Sequence, residues 1–251
     1  MRVLILLPPS EGKTQRRRGR PLDLATLSFP SLNGLRADVA AALGVVSAGP
    51  GAADVLGVSP NLTADIARNT RLWSAPTAPA GDVYAGVLYD ALDLGSLDAA
   101  ARRRATRWIV VQSALFGAVR LTDRIPAYRL SMAVNLPGVG PLASAWRGPV
   151  SDEMESAAGG GVIVDCRSST YAAVFTPTGT LASRWVQIHV PGATHMAKYT
   201  RGLVTRALCV AAGQPRTPKT LAVLLGETFD VDLAPPARPG RPWVLSASVR
   251  T

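Results

Sequence analysis

Histidine, cysteine and lysine are scarce in this chain of 251 residues, and each scarcity removes a class of function. Two histidines, His189 and His195, are too few for a histidine-rich metal centre, and no resident metal is expected. Two cysteines, Cys166 and Cys209, make no disulfide framework and suit a reducing compartment. Cys209 lies in the apolar run Ala207 to Ala212 and reads as a core thiol; Cys166 sits in a polar strand-end loop, where a core role is still favoured over a reactive one. The opening apolar stretch ends at Leu7, about six residues long, far short of a signal core or a membrane span. A cytoplasmic protein without membrane association is expected. Lysine occurs only as Lys13, Lys198 and Lys219, so the 27 basic residues are mostly arginine, a preference that also fits a GC-rich genome. Against 17 acidic residues they give a formal charge of +10, which attracts nucleic acid or nucleotides.

What is present is 47% hydrophobic and 18% charged, the composition of a globular protein. Short apolar runs stop abruptly in polar loops. Arg2 to Leu7 runs into Pro8-Pro9-Ser10-Glu11-Gly12-Lys13-Thr14, Trp108 to Val111 ends at Gln112 to Gly117, and Val162 to Val164 ends at Asp165 to Tyr171. Continuous Val/Ile/Leu runs fit strands buried on both faces, and open α/β sheets bind ligands beyond strand carboxyl ends. The expected architecture is α/β (mixed α+β): one domain over residues 1–251, with a mixed central sheet and surrounding helices.

Helices are predicted over Ala37 to Leu43, Leu62 to Leu72 with Asn61 as cap, and Leu97 to Arg107 with Asp98 at its acidic start. A short helix opens at Asp152 and ends at Gly159-Gly160-Gly161; another covers Lys219 to Leu225. Gly44 to Gly51 and Ala75 to Ala80 read as connectors, Pro235 to Pro242 as a loop, and Trp243 to Val249 as a last strand. Arg16-Arg17-Arg18-Gly19-Arg20 is a basic loop, solvated in the simplest reading.

Three segments invite chemistry. Glu11-Gly12-Lys13-Thr14 suggests a P-loop, but Leu7 occupies the place of its first glycine and two prolines remove backbone donors, so no such site and no cofactor is expected. Ser10 and Lys13 could still hold an anion singly. Leu136-Pro137-Gly138-Val139-Gly140-Pro141 resembles the hairpin of a helix–hairpin–helix element. Gly138 and Gly140 allow the turn, the amides of the next helix could take a DNA phosphate, and Arg147 lies along that helix; Leu142 stands where a basic residue is common. An ordinary loop between short helices is the alternative. Residues 195 to 212 form the cleanest amphipathic segment. At about 100° per residue, His195, Lys198, Arg201, Gly202, Thr205 and Arg206 share one face, and Met196, Leu203, Val204, Ala207, Leu208 and Ala211 the other. The basic face is either solvated or set against phosphate, with Gly202 permitting close approach. His195 alone reads as a hydrogen-bonded structural residue.

Five blocks, Gly81 to Gly86, Ser113 to Gly117, Pro126 to Met132, Asp165 to Tyr171 and Ala197 to Leu203, occur in the order and spacing of the YaaA family of peroxide stress proteins. Ser10-x-x-Lys13-Thr14 after the first strand agrees, and the resemblance spans nearly the whole chain. It implies a single mixed α/β domain, a cytoplasmic location and a role in surviving hydrogen peroxide. It also implies DNA binding through a helix–hairpin–helix-like element and an effect on free intracellular iron. Cys166 and Ser169 differ from the commoner family residues at those places.

Two functions stay open. One is a nucleic-acid-binding stress protein whose partner is double-stranded DNA, held mainly by charge. The other is an enzyme on a nucleotide-like small molecule, such as one cleaving an N-glycosidic bond. Ser10, Lys13, Arg129, Ser169, His195, Lys198 and Arg201 would then hold phosphate. Ser168 would supply a hydrogen bond, and Asp82 or Asp165 would do acid/base or cation-stabilising work. The structural alternative is that Asp82 and Arg129 form a buried pair that fixes loops.

Overall fold

Strands short enough to be buried along their whole length make the centre of the molecule. In a computed structural model describing residues 3–192 and 194–250, the main sheet contains β1 (Leu4–Leu7), β2 (Ile109–Ser113), β3 (Gly117–Arg120), β4 (Ile163–Asp165), β5 (Trp185–His189), β6 (Phe229–Ala234) and β7 (Trp243–Val249). The spatial order is β6-β7-β5-β4-β1-β2-β3. The five inner strands run parallel, and β3 and β6 close the two ends as antiparallel partners. Every residue of β1, β2 and β4 is buried, as their unbroken apolar runs predict. The edge strand β6 alternates instead, with Phe229 buried and Asp230 exposed.

Five helices of eight residues or more are described: α1 (Asn33–Ala48), α2 (Ala99–Trp108), α3 (Leu142–Ala158), α4 (Thr194–Val210) and α5 (Pro218–Leu225). Asp98 caps α2 by accepting from the Ala101 amide at 2.7 Å. Thr217 and Thr220 form a reciprocal cap on α5. The predicted helix 62–72 is broken: Thr63–Arg68 is α-helical between two 3₁₀ turns, and Ser59, not Asn61, caps the run. The helix expected to open at Asp152 starts ten residues earlier. Pro149 and Gly148 disguise it, yet α3 runs through both. Trp146 on α3 is fully buried and donates its indole N–H to the Ala114 carbonyl at 2.9 Å. Gly117, at φ +68°, lies under that ring; a β-carbon there would sit 2.6 Å from a ring carbon.

The hairpin forms as expected, pairing Asn135–Leu136 with Gly140–Pro141 and placing Gly138 and Gly140 at φ +85° and +94°. The helix–hairpin–helix element does not follow. Residues 126–134 hold no helix ahead of the hairpin, so only its second helix, α3, is present. The basic face of α4 divides: Lys198 is exposed, whereas Gly202 and Thr205 are buried, Gly202 against helix Val87–Leu92, and the half-buried Arg206 pairs with Asp93.

The chain leaves β1 for β2 on one side of the sheet, and β4 begins the build-out on the other. The carboxyl ends of β1 and β4 therefore flank a topological switch point, where an α/β sheet leaves a crevice.

Candidate functional site

That crevice is a cavity of about 540 Å³, within the usual range for small-molecule sites. Its walls come from the loop after β1 (Pro8 to Lys13), the turn after β4 (Cys166 and Ser168), α4 (Lys198 and Arg201), and segments 85–89 and 129–131.

The loop after β1 is fastened to the segment carrying Tyr84. Ser10 Oγ accepts from the Ala85 amide at 3.0 Å and donates to the Gly12 carbonyl. Thr14 N–H donates to Val83 at 2.8 Å, and Lys13 pairs with Tyr84 as an antiparallel bridge. Lys13 Nζ donates to the Ser10 carbonyl at 2.6 Å and stands 4.3 Å from the Tyr128 ring centre and 5.7 Å from that of Tyr84. Below, the Tyr128 hydroxyl lies 2.7 Å from Ser113 Oγ and 3.2 Å from the Tyr84 hydroxyl, while Ser113 Oγ accepts from the Phe116 amide. Tyr84 stacks on Tyr89, whose hydroxyl donates to Pro8 at 2.7 Å.

Burial, reinforced by the nearby Arg129 charge, lowers the Lys13 ammonium to a pKa of about 7, while Glu11 and Asp65 oppose the shift. Burial raises Tyr84, Tyr89, Tyr128 and Tyr171, which stay neutral phenols. It also pushes the Cys166 thiol up to about 12, in keeping with a core role. Arg129 is set by Asn69: its N–H donates to Asn69 Oδ1 at 2.8 Å, and Asn69 Nδ2 donates back to its carbonyl at 2.9 Å. The guanidinium reaches Glu11 through its carbonyl and carboxylate, both at 3.3 Å. Arg201 donates to the Ile188 carbonyl at 3.3 Å, and Lys198 is exposed at the rim.

Of the predicted site residues, the fold brings together Ser10, Lys13, Arg129, Ser168, Lys198 and Arg201. Asp165 is not among them. It is buried beside Arg167, and its two oxygens accept from Arg167 at 2.6–3.0 Å and from the Trp185 indole at 3.0 Å. Asp82 is exposed and faces Arg16 at 3.4 Å, so it makes no buried pair with Arg129. It lines a separate cleft of about 240 Å³. Ser169 is exposed and outside the cavity lining. Gly138, Gly140 and Arg147 also lie outside it; the first amide of α3 donates to Val134 at 3.0 Å, and Arg147 donates to Ala173 at 3.1 Å. The side chain of His195 lies outside the described residues. A larger cleft of about 590 Å³, lined by Phe29, Arg107, Arg120 and Glu153 among others, contains no predicted site residue.

The tyrosines, Asn69 and Glu11 were missing from the expected site. Tyr84, Tyr128 and Tyr171 do fall inside the quoted sequence blocks, which was the available signal. Gly202 also changes meaning: a β-carbon there would meet the Leu88 carbonyl, so it admits a helix rather than a phosphate. Among the described residues, no group of three or more His, Cys, Asp or Glu is gathered to hold a metal ion, and no helix is long and apolar enough to cross a membrane.

Residues 3–232 match the family model described as peroxide stress protein YaaA. The chain is 45% identical over 256 residues to a UPF0246 protein of Streptomyces coelicolor, covering 98% of both chains. It is 38% identical to a UPF0246 protein of Corynebacterium efficiens over 91% of both, and 36% identical to one of Corynebacterium glutamicum over 86% of this chain and 88% of the other. With a family model across most of its length and relatives this similar over nearly all of it, the chain belongs to the YaaA family of peroxide stress proteins.

Proposed function

We propose that the protein binds a phosphate-bearing ligand, a nucleotide or a nucleic-acid phosphate–sugar unit, in the strand-end cavity. One observation carries this reading. Lys13, Arg129, Lys198 and Arg201 reach the cavity from three separate parts of the chain, while Glu11 is the one carboxylate among the described residues lining it. Cations arranged in this way favour an anion, and arginine suits planar or bidentate contact with phosphate oxygens. The partly apolar lining, with Tyr89, Tyr171 and Leu130, suits a sugar or base rather than free phosphate. A reducing, cytoplasmic setting belongs to the proposal and is supported by two free, buried thiols.

Duplex DNA gains less support from the hairpin, whose following amide and Arg147 are already bonded. Binding by the exposed Arg16 to Arg20 loop would be electrostatic and would weaken steeply with salt. The enzyme reading survives with different residues, because neither Asp82 nor Asp165 lines the cavity.

Calorimetric titration with nucleoside mono- and diphosphates and with duplex DNA, at low and high salt, tests the proposal. Salt-resistant binding of one small phosphate ligand, lost in Lys198→Ala and Arg129→Ala, is expected. Binding of duplex DNA alone, abolished by removing Arg16, Arg17 and Arg18 and untouched by the cavity changes, would sink it.

A further inference from the structure

Among the described residues lining the cavity, one group has the chemistry of a nucleophile at neutral pH; the other lining amine, Lys198, is exposed at the rim. Cys166 is a buried thiol held well above that range. Ser10 Oγ is bonded on both sides, to the Ala85 amide and the Gly12 carbonyl. Any lining serine would have only Glu11 as a carboxylate base, and Glu11 is engaged by Arg129 at the rim. Lys13 differs from all of these. Its amine has no carboxylate partner within ion-pair distance among the described residues. It is directed by the Ser10 carbonyl and rests over the face of Tyr128.

We propose that Lys13 is a covalent amine site, whose Nζ condenses with the aldehyde or ketone carbon of a phosphorylated open-chain sugar. The inference rests on the phosphate-cavity reading, with Arg129, Lys198 and Arg201 holding the ester. The nitrogen lone pair forms a C–N bond while the carbonyl π pair moves to oxygen, giving a carbinolamine. The proton lost by the nitrogen passes to the oxygen, a second proton from solvent lets it leave as water, and a protonated imine remains. No oxidant or reductant enters, and hydrolysis reverses the step.

The surroundings favour this product over a plain ammonium. Burial and Arg129 leave a substantial share of the amine neutral near pH 7, and only the neutral form attacks. The iminium spreads its charge over carbon and nitrogen and is less hydrated, so it loses less on entering the cavity. The Tyr128 face still stabilises a cation above it. The tyrosines stay protonated and can donate hydrogen bonds.

The intact protein would be incubated with cyanoborohydride and either ribose 5-phosphate or a DNA strand carrying one abasic site, then mapped by peptide mass spectrometry. Binding of ribitol 5-phosphate, which has no carbonyl, would be measured in parallel by calorimetry. A reduced adduct on Lys13 is expected, at least tenfold above any on Lys198 or Lys219. It should vanish in Lys13→Arg, persist in Lys219→Arg and increase between pH 6 and 8. An adduct with only one of the two carbonyl sources supports the proposal and names the source. Ribitol 5-phosphate binding without any adduct overturns the covalent step and leaves the phosphate cavity standing, as does equal labelling of all three lysines. Failure of every phosphate ligand to bind overturns both.

Discussion

Gly202 faces Leu88 so closely that a β-carbon on it would stand 2.2 Å from the Leu88 carbonyl oxygen and 2.8 Å from Ala91 Cβ. The obstacle is backbone, which cannot swing aside, so any side chain must push α4 away from helix Val87–Leu92. Both elements line the cavity, through Lys198 and Arg201 on one side and Leu88 and Tyr89 on the other. Gly202→Ala should cost about 2 kcal/mol in urea denaturation, within the usual range for overpacking. It should also weaken phosphate-ligand binding although no cation is lost. A variant as stable as the parent would mean that the two helices part freely.

Asp165 and Arg167 make the second test. Their side chains are 1% and 0% exposed, and the pair ties β4 to Gln112, Phe175 and Trp185. Removing one partner strands a buried charge, so Asp165→Asn should destabilise by about 3–5 kcal/mol. Ligand affinity per folded molecule, measured where the variant is still native, should change little. Loss of binding at full stability would instead return Asp165 to the site.

The Lys13 pKa sets a pH window. Its folded value, about 7, lies below the ordinary lysine value of 10.5, so between them the unfolded chain binds more protons. Stability therefore rises with pH across that window, and the contribution is lost as pH falls through 7. Relative to Lys13→Met, the parent should be least stable near pH 6–7 and gain steadily toward pH 10. A stability difference flat from pH 6 to 10 would show that the amine is solvated.

Asn69 touches no predicted site residue except Arg129, whose backbone it clasps on both sides. Asn69→Ala keeps every charge but frees that backbone, so affinity for the small phosphate ligand should fall about tenfold. Arg129→Ala removes the guanidinium itself and should abolish that binding. Undiminished binding in Arg129→Ala would mean that Arg129 makes no phosphate contact.

The inner strands were legible because burial on both faces demands continuous Val, Ile and Leu, and the polar residues after β1 and β4 marked the cavity mouth. Helix α4 was legible by period to within two residues, Thr194–Val210 against 195–212. Its orientation was not, because Gly202 and Thr205 face another helix and period alone does not tell solvent from a small-residue contact. Gly44 lies inside α1, and Pro149 inside α3, so residues that read as breaks concealed the true helix lengths. Arg36 was unforeseeable: fully buried, it gives four hydrogen bonds, to Phe116, Ala118, Ser28 and Asn33, and the assembled fold alone supplies the Phe116 and Ala118 acceptors. Asp82 and Asp165 show the same limit. One is spent on a surface arginine and the other on a buried one, and sequence alone does not reveal the partner.

The position of β1 also governs when the protein can be assembled. Leu4–Leu7 pairs with Ile109–Ser113 on one side and Ile163–Asp165 on the other, so this strand waits for partners made much later. At about 5–20 residues per second, completing Asp165 takes roughly ten to thirty seconds. Until then one edge of an apolar strand stays open to mispairing, and the lysine six residues beyond it has no cavity to enter. Folding should be slow and cooperative, with the site among the last parts to form, because α4 is made later still.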